Sequence, residues 1–463
     1  MNENKISNGV NKPTLTCWGG VGAVTGANFL FETGTKKCLV DCGLLQGLPS
    51  AENINAEKFD YDTASIDFLF ITHAHIDHIG KVPKLVKDGF KGIIYSTPET
   101  KAIAELMLAD MAKINTSNAH EAGLEPLYGH DHVIKALSLW QAINYHEPKD
   151  FGDFTLELFD AGHILGSAMY KFTFKSGKSM LFTGDLGNSP SPLLRDNDKV
   201  SGLSYLLMDS VYGDRNHEDK TERDKKFKEI ISRTAKEGRT LLIPVFSLER
   251  TQVLLYELNE LFESKQVPQI PVFLDSPLAI HVTEIYERIT KEYKKTVQDD
   301  IKGGDDIFVF PKLRSITESR ESREIVNIKG PKIIMAGSGM STAGRIVGHE
   351  ETYLPDTNAT VLFVGYQAPG TLGRQISEGA KNVVIKDRNV EVKAEIVQID
   401  GFSAHADSNA LVEFVSNTKE TLENVFVTMG EPKSSIFLTQ RLRDELEVKA
   451  LMPERGKRYE LDL

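Results

Sequence analysis

The sequence predicts an α/β fold spread over more than one domain. Three observations lead there. The chain has 463 residues, a length that suggests two or three domains. Residues 13–60 read as strands and glycine turns, and 151–186 return to strands, with one more at 205–210. After 210 the pattern changes to apolar strands alternating with amphipathic helices, which means a largely parallel sheet.

Taken in order, "NFLFET", "KCLVDC" and the glycines at 19, 20, 22 and 26 suggest a β-meander. "DFLFIT" (67–72) is a buried strand entering a histidine cluster. "GKVPKLVKDG" has helical spacing, with Val82, Leu85 and Val86 on one side. A helix over 98–115 carries Pro98 and Glu99 in its first turn. "FTLELFDA", "AMYKFTF", "SMLFTGD" and "YLLMDS" are strands. Helices at 219–237 and 249–264 flank "TLLIPVF", "PVFLDS" precedes a long helix at 278–296, and "KIIMAGS", "VLFVGY" and "NVVIKD" follow. From 391, "VKAEIVQID" and "NVFVTMG" bracket a helix at 407–417.

Composition narrows the function classes. Apolar residues are 40% and charged residues 26%, as in ordinary soluble proteins. A net charge of −12 argues against a broad basic face coating nucleic acid, but not against a nuclease with bound cations. The three cysteines, Cys17, Cys38 and Cys42, read as buried strand residues of a protein in a reducing compartment. Residues 1–12 read as a polar tail, with no apolar signal segment. No run of about 18 apolar residues offers a membrane span. The expectation is a cytoplasmic protein.

The chemistry lies at strand ends. "ITHAHIDHIG" (71–80) packs His73, His75, Asp77 and His78 together. Further strands run into Asp41, His163, Asp185, Asp209 and His405. Strand ends of one layered sheet converge on one edge, so these residues read as one site. Zinc takes imidazole and carboxylate ligands, and a catalytic shell leaves room for water. His73 and His75 differ by two and face the same way when extended. Asp77 and His78 lie past the bend and can aim at a second ion, and Asp185 can bridge. Two ions about 3.5–4 Å apart can share a hydroxide and clamp a phosphodiester. His120, His130, His132, His146, His217, His281 and His349 read as surface residues.

"THAHIDH", "DAGHILGSA" and "FTGDLG" resemble the metallo-β-lactamase fold hydrolases. "DSVYGDR", "IPVFSLERTQ", "FLDSPLA", "AGSGMSTAGR", "VLFVGYQAPGTLGRQI" and "IDGFSAHAD" are similar to the β-CASP branch. That branch holds nucleases, among them the endonuclease subunit of the cleavage-and-polyadenylation machinery and its prokaryotic RNA-processing relatives. The resemblance covers about residues 14–435. It implies an αββα sandwich built from 13–210 and completed by 391–463, with a Rossmann-like β-CASP domain inserted at 211–390. The active site would lie in the cleft between them.

The resemblance also implies roles. His73, His75 and His163 would bind one zinc ion, Asp77 and His78 a second, with Asp185 bridging. Asp41 would orient ligand imidazoles. Asp209 and His405 would pair, keeping His405 an imidazolium that acts as general acid toward the leaving 3′-oxygen. The implied activity is zinc-dependent hydrolysis of RNA, endo or 5′-exo, by metal-bound hydroxide, leaving 5′-phosphate and 3′-hydroxyl. Many relatives dimerise, which makes a homodimer the oligomer to look for.

The pattern breaks once. Where the family has a His that completes the second zinc shell, "VFVTMGEP" places Met429. A thioether is a poor zinc ligand. The expectation is therefore one tight zinc and a second that is weak or absent. The DNA-processing branch also lacks this His, but the remaining motifs favour RNA over DNA. A weakly active or inactive RNA-binding paralogue is the alternative. "AGSGMSTAGR" reads as a phosphate cradle, with Ser338 and Gly339 at the loop and Arg345 and Arg374 as anchors for the strand.

Overall fold

The structure, a computed structural model, describes residues 12–47 and 50–463. The tail expected over 1–12 lies, up to residue 11, outside the described residues. Two seven-stranded sheets face each other. The first runs Arg458–Glu460, Thr14–Cys17, Phe29–Glu32, Lys37–Val40, Phe68–Phe70, Ile93–Ser96 and Trp140–Ala142. The second runs Ala450–Leu451, Asn424–Val427, Tyr205–Met208, Ser179–Phe182, Ala168–Phe174, Phe154–Asp160 and Lys149–Asp150. Strand Phe154–Asp160 alternates buried and half-buried positions, as a strand with one fully covered face should.

Aromatic side chains glue the two inner faces together. Phe172 meets Phe31 edge-on at 5.2 Å and Phe70 at 5.3 Å between ring centroids. Such pairs add to what their buried area contributes. The outer faces are covered by helices. Ile103 and Leu108 of Pro98–Ala122 pack in the cluster that holds Leu69 and Ile94. Leu411 and Leu438, from Ser408–Ser416 and Pro432–Leu446, pack in the cluster of Leu206 and Val425. Together these layers form the αββα sandwich.

The third sheet has six strands in the order Leu313–Ser315, Val272–Asp275, Lys332–Ala336, Thr240–Pro244, Ala359–Phe363 and Glu395–Gln398. Every pairing in it is parallel. Its central strands are buried along their whole length because helices cover both faces.

Four details differ from expectation. Helix Pro98–Ala122 runs past residue 115 and stops where Gly123 turns left-handed at φ 66°. The helix expected over 278–296 ends at Arg288, and a second begins at Lys295. Between them Tyr293 turns inward and its hydroxyl donates to the Tyr286 carbonyl at 2.6 Å. "NVVIKD" forms a hairpin with Arg388–Glu391 outside the parallel sheet. Finally, Glu395–Gln398 pairs with Ala359–Phe363, so the inserted sheet extends past residue 391. The β-period is the same in either sheet, so the pattern could not say which one this strand joins.

Candidate metal centre

Strand Phe68–Phe70 ends at the sheet edge, and the chain bends into the short helix Ile76–Ile79 with His75 at its N-cap. Gly43 makes the bend possible, since a Cβ there would meet the Asp77 carbonyl oxygen at 1.5 Å. Two loops bring the distant partners. Gly187 N–H donates to the Ala161 carbonyl at 2.8 Å, locking the loop of His163 to that of Asp185. On its other side, Ala406 N–H donates to the Leu186 carbonyl at 2.7 Å and seats His405.

The ligand atoms converge. Nε2 of His73 and Nε2 of His163 lie 3.1 and 3.3 Å from Nδ1 of His75. Oδ2 of Asp185 stands 3.5 Å from His73 Nε2 and 3.6 Å from His163 Nε2. One ligand atom from each of these four residues lies within 4.8 Å of the others. Three imidazoles and a carboxylate are a zinc donor set. On the other side, Oδ1 of Asp185 faces His78 Nε2 at 3.4 Å, and Asp77 Oδ2 lies 3.7 Å from the same nitrogen. The carboxylate of Asp185 thus stands between two groups of ligands. His78 Nε2 and Asp185 Oδ1 are buried without a hydrogen-bond partner, which a cation between them would supply.

A hydrogen-bond relay fixes the imidazoles. His78 Nδ1 donates to Asp41 Oδ2 at 2.8 Å. The Thr72 hydroxyl also donates to Asp41 Oδ2 at 2.8 Å, and His73 Nδ1 lies 3.0 Å from that hydroxyl. His163 Nδ1 donates to the Ala404 carbonyl at 3.2 Å. In each case Nδ1 is the bonded nitrogen and Nε2 faces the centre, the orientation that metal-binding imidazoles take.

Electrostatics follow from burial and neighbours. Burial drives His73 and His163 well below the ordinary imidazole range, and His75 down to about 3, so all three are neutral ligands. Burial also opposes charge on His78, but Asp185, Asp41 and Asp77 outweigh it and push its pKa well up. Burial disfavours ionisation of Asp185 too, yet the imidazoles around it, His78 foremost, hold it well below the carboxylate range. Burial raises Asp77 to about 6.

Some expected contacts are absent. Asp209 and His405 do not pair directly. They share a group with Asp185 whose ligand atoms lie within 4.8 Å of one another, but the carboxylate oxygen in ion-pair range of His405 Nδ1 is Asp185 Oδ2, at 3.7 Å. Asp209 Oδ1 instead accepts from the Leu186 N–H at 3.1 Å. Burial holds the Asp209 carboxyl well up and the His405 imidazole below its ordinary value.

Met429 is core. It is 2% exposed within the aromatic inter-sheet cluster. Its sulfur lies against Gly20, where a Cβ would meet it at 2.5 Å.

Ser338 and Gly339 line the cleft of about 280 Å³ that opens beside His75, Asp77, Asp185 and His405. Arg345 does not join them. It donates to Asp275 at 2.6 Å and to the Ile316 carbonyl at 2.9 Å, so its charge is committed inside the inserted domain. Arg374 donates to Glu378 at 2.6 Å and to the Gln367 carbonyl at 3.3 Å.

Three histidines read as surface residues are not fully exposed, half-buried His132 among them. His349 is buried, and its Nε2 lies 2.7 Å from Asp275 Oδ2. His217 is half-buried and its Nε2 donates to the His405 carbonyl at 2.8 Å. Sequence reasoning also missed Glu249. Its carboxylate accepts from the Tyr286 hydroxyl at 2.6 Å, and that hydroxyl in turn accepts from Leu165 N–H at 3.2 Å, two residues past His163. The inserted domain thereby grips a ligand loop. Nothing in "SLERTQ" distinguishes this glutamate from an ordinary first-turn acid.

Comparison with known proteins agrees with this geometry. Residues 251–376 match the Beta-Casp domain, 389–453 the Zn-dependent metallo-hydrolase RNA specificity domain, and 22–210 the anti-Pycsar protein Apyc1. Ribonuclease TTHA0252 of Thermus thermophilus is 33% identical over 425 residues, covering 92% of this chain and 95% of that protein. The transcription termination factor FttA of Pyrococcus horikoshii is 30% identical, over 95% of this chain and 69% of its own length. A solved Enterococcus faecalis protein of unknown function shares the fold, with a TM-score of 0.58 at 13% identity over 97% of this chain and all of the other. No helix among the described residues is long and apolar enough to cross a membrane. The chain belongs to the β-CASP family of metallo-β-lactamase fold hydrolases.

Proposed function

We infer that this protein is a zinc-dependent ribonuclease that hydrolyses RNA phosphodiester bonds, leaving a 5′-phosphate and a 3′-hydroxyl. The observation that carries it is the shared carboxylate of Asp185, which faces His73 and His163 with one oxygen and His78 with the other. Zinc held there supplies Lewis acidity and activates water. The chain's own groups do the rest. Asp41 and Thr72 hold the imidazoles in the ligating tautomer. Asp185 and Asp77 compensate positive charge. His405, with Nδ1 unpartnered beside Asp185, is placed to hand a proton to the leaving 3′-oxygen, and a substrate phosphate beside it would raise its pKa from the lowered resting value. Asp209 stands behind it as a positioning group.

The first ligand set is tight and the second weak, because Met429 is packed away from the cleft. RNA as substrate is supported by the match to an RNA specificity domain and by the ribonuclease relative. A second reading, RNA engagement with little cleavage, is favoured by the same Met429 and by relatives named as transcription termination factors. Zinc per chain, with cleavage of labelled RNA and single-stranded DNA in Zn²⁺ or Mn²⁺, decides between them. RNA bound but uncut under every metal condition would rule out the nuclease.

A further inference from the structure

Behind the metal cleft lies a smaller pocket between the His163 loop, the 188–192 turn, the 401–404 turn and the start of helix Arg250–Glu263. Three cations line it: Lys220, Arg223 and Arg250. Two are accounted for. Arg223 bonds Asp224 and Glu257, the latter at 2.8 Å. Lys220 donates to the Pro190 carbonyl. Arg250 is different. It is 7% exposed, its Nε is buried without a partner, and no carboxylate lies within ion-pair distance of it among the described residues. The neighbouring Glu249 turns its carboxylate to the Tyr286 hydroxyl at 2.6 Å instead.

A buried guanidinium without a counter-ion is an expensive arrangement. Burial draws the Arg250 pKa only to about 10, so it stays a cation at neutral pH. The same side chain also lines the main cleft, together with His75, Asp185 and His405. It therefore forms part of the wall between the metal centre and the basic pocket, with its charge uncommitted. Guanidinium donors match phosphate oxygens in a planar fork.

We propose that Arg250 holds a backbone phosphate of the RNA at the wall of the metal cleft, with the Lys220 pocket behind it adding positive potential. This subsite rests on the ribonuclease reading for the identity of its ligand, but its anion chemistry does not. Its function is to fix the strand beside the zinc ligands, a task that Arg345, tied to Asp275, cannot perform.

The test uses the full-length, zinc-loaded protein as wild type, Arg250→Gln and Arg250→Lys. Binding of a nuclease-resistant 2′-O-methyl RNA is measured by anisotropy over a range of salt concentrations, and inorganic phosphate is titrated by thermal shift. Arg250→Gln should weaken RNA binding about 10- to 100-fold and reduce the salt slope by about 0.7. It should also shrink the phosphate-induced shift, with zinc per chain unchanged. Arg250→Lys should restore the slope while recovering only part of the affinity. Wild-type affinity and slope in Arg250→Gln would overturn the subsite while leaving the ribonuclease reading intact. Should Arg250→Gln not fold, wild-type affinity in Arg250→Lys overturns it equally. Phosphate binding that depends on Arg250, in a protein that ignores RNA, would keep the anion site and remove RNA as its ligand.

Discussion

Oδ2 of Asp41 accepts the Nδ1 proton of His78 at 2.8 Å, with both side chains wholly buried. The same oxygen accepts from Thr72, whose hydroxyl meets His73. One carboxylate therefore sets the ring orientation on both sides of the metal centre.

Asp41→Ala should raise the zinc dissociation constant about 10- to 100-fold, the usual cost of losing a group that orients a ligand. Chelator competition measures this. An unchanged constant would show that packing alone holds the rings.

Met429→His restores an imidazole at the position where the family places a zinc ligand. Zinc content should rise toward two per chain, at a cost in stability of about 1–3 kcal/mol from disturbing a buried apolar contact. Metal analysis and urea unfolding read the two effects. Unchanged zinc content would mean that this position does not limit the second ion.

Burial pushes the Glu249 carboxyl from 4.5 up to about 7. A raised folded pKa means the native state holds the proton more tightly than the unfolded chain. Stability then falls as pH rises from about 4.5 to about 7. Glu249→Gln removes this dependence. At pH 8 the variant should be more stable than wild type, by about 3 kcal/mol, and near pH 4.5 the two should converge. Urea unfolding across that range tests it, and parallel curves would contradict the assignment.

In the inserted domain, Asp275 accepts from Arg345 at 2.6 Å and from Ser322 at 2.5 Å, and lies 2.7 Å from His349 Nε2. Although burial opposes it, these hydrogen bonds hold Asp275 below the usual carboxylate range. Asp275→Ala removes the buried acceptor of a half-buried guanidinium and should destabilise the protein by about 1–3 kcal/mol. Arg345→Met should lower stability while leaving RNA affinity nearer to wild type than Arg250→Gln does. A larger affinity loss at Arg345 would reinstate it as a strand anchor.

Much of the centre was legible because its ligands are chemically rare in apolar surroundings. His73 and His75 follow a strand of the first sheet, His163 and Asp185 follow strands of the second, and the loops of both sheets meet at one edge of the sandwich. What could not be read was commitment. Arg345 and Arg250 sit in equally polar stretches, yet one is neutralised by Asp275 and the other faces the cleft without a partner. His349 and His217 sit in polar or helical contexts that mark surface residues, and only packing shows them buried or half-buried.

By itself, the sequence determined the α/β class, the change of pattern after 210 and the cluster of candidate metal ligands, because periodicity and side-chain chemistry are local properties. It also marked Met429 as the break in that set. The tertiary structure decided which sheet Glu395–Gln398 joins, that Asp209 and His405 stand near each other without pairing, and that Glu249 ties the inserted domain to the His163 loop. These depend on which distant groups meet in space and on how far burial strips them of water, and neither is encoded in any short stretch of chain.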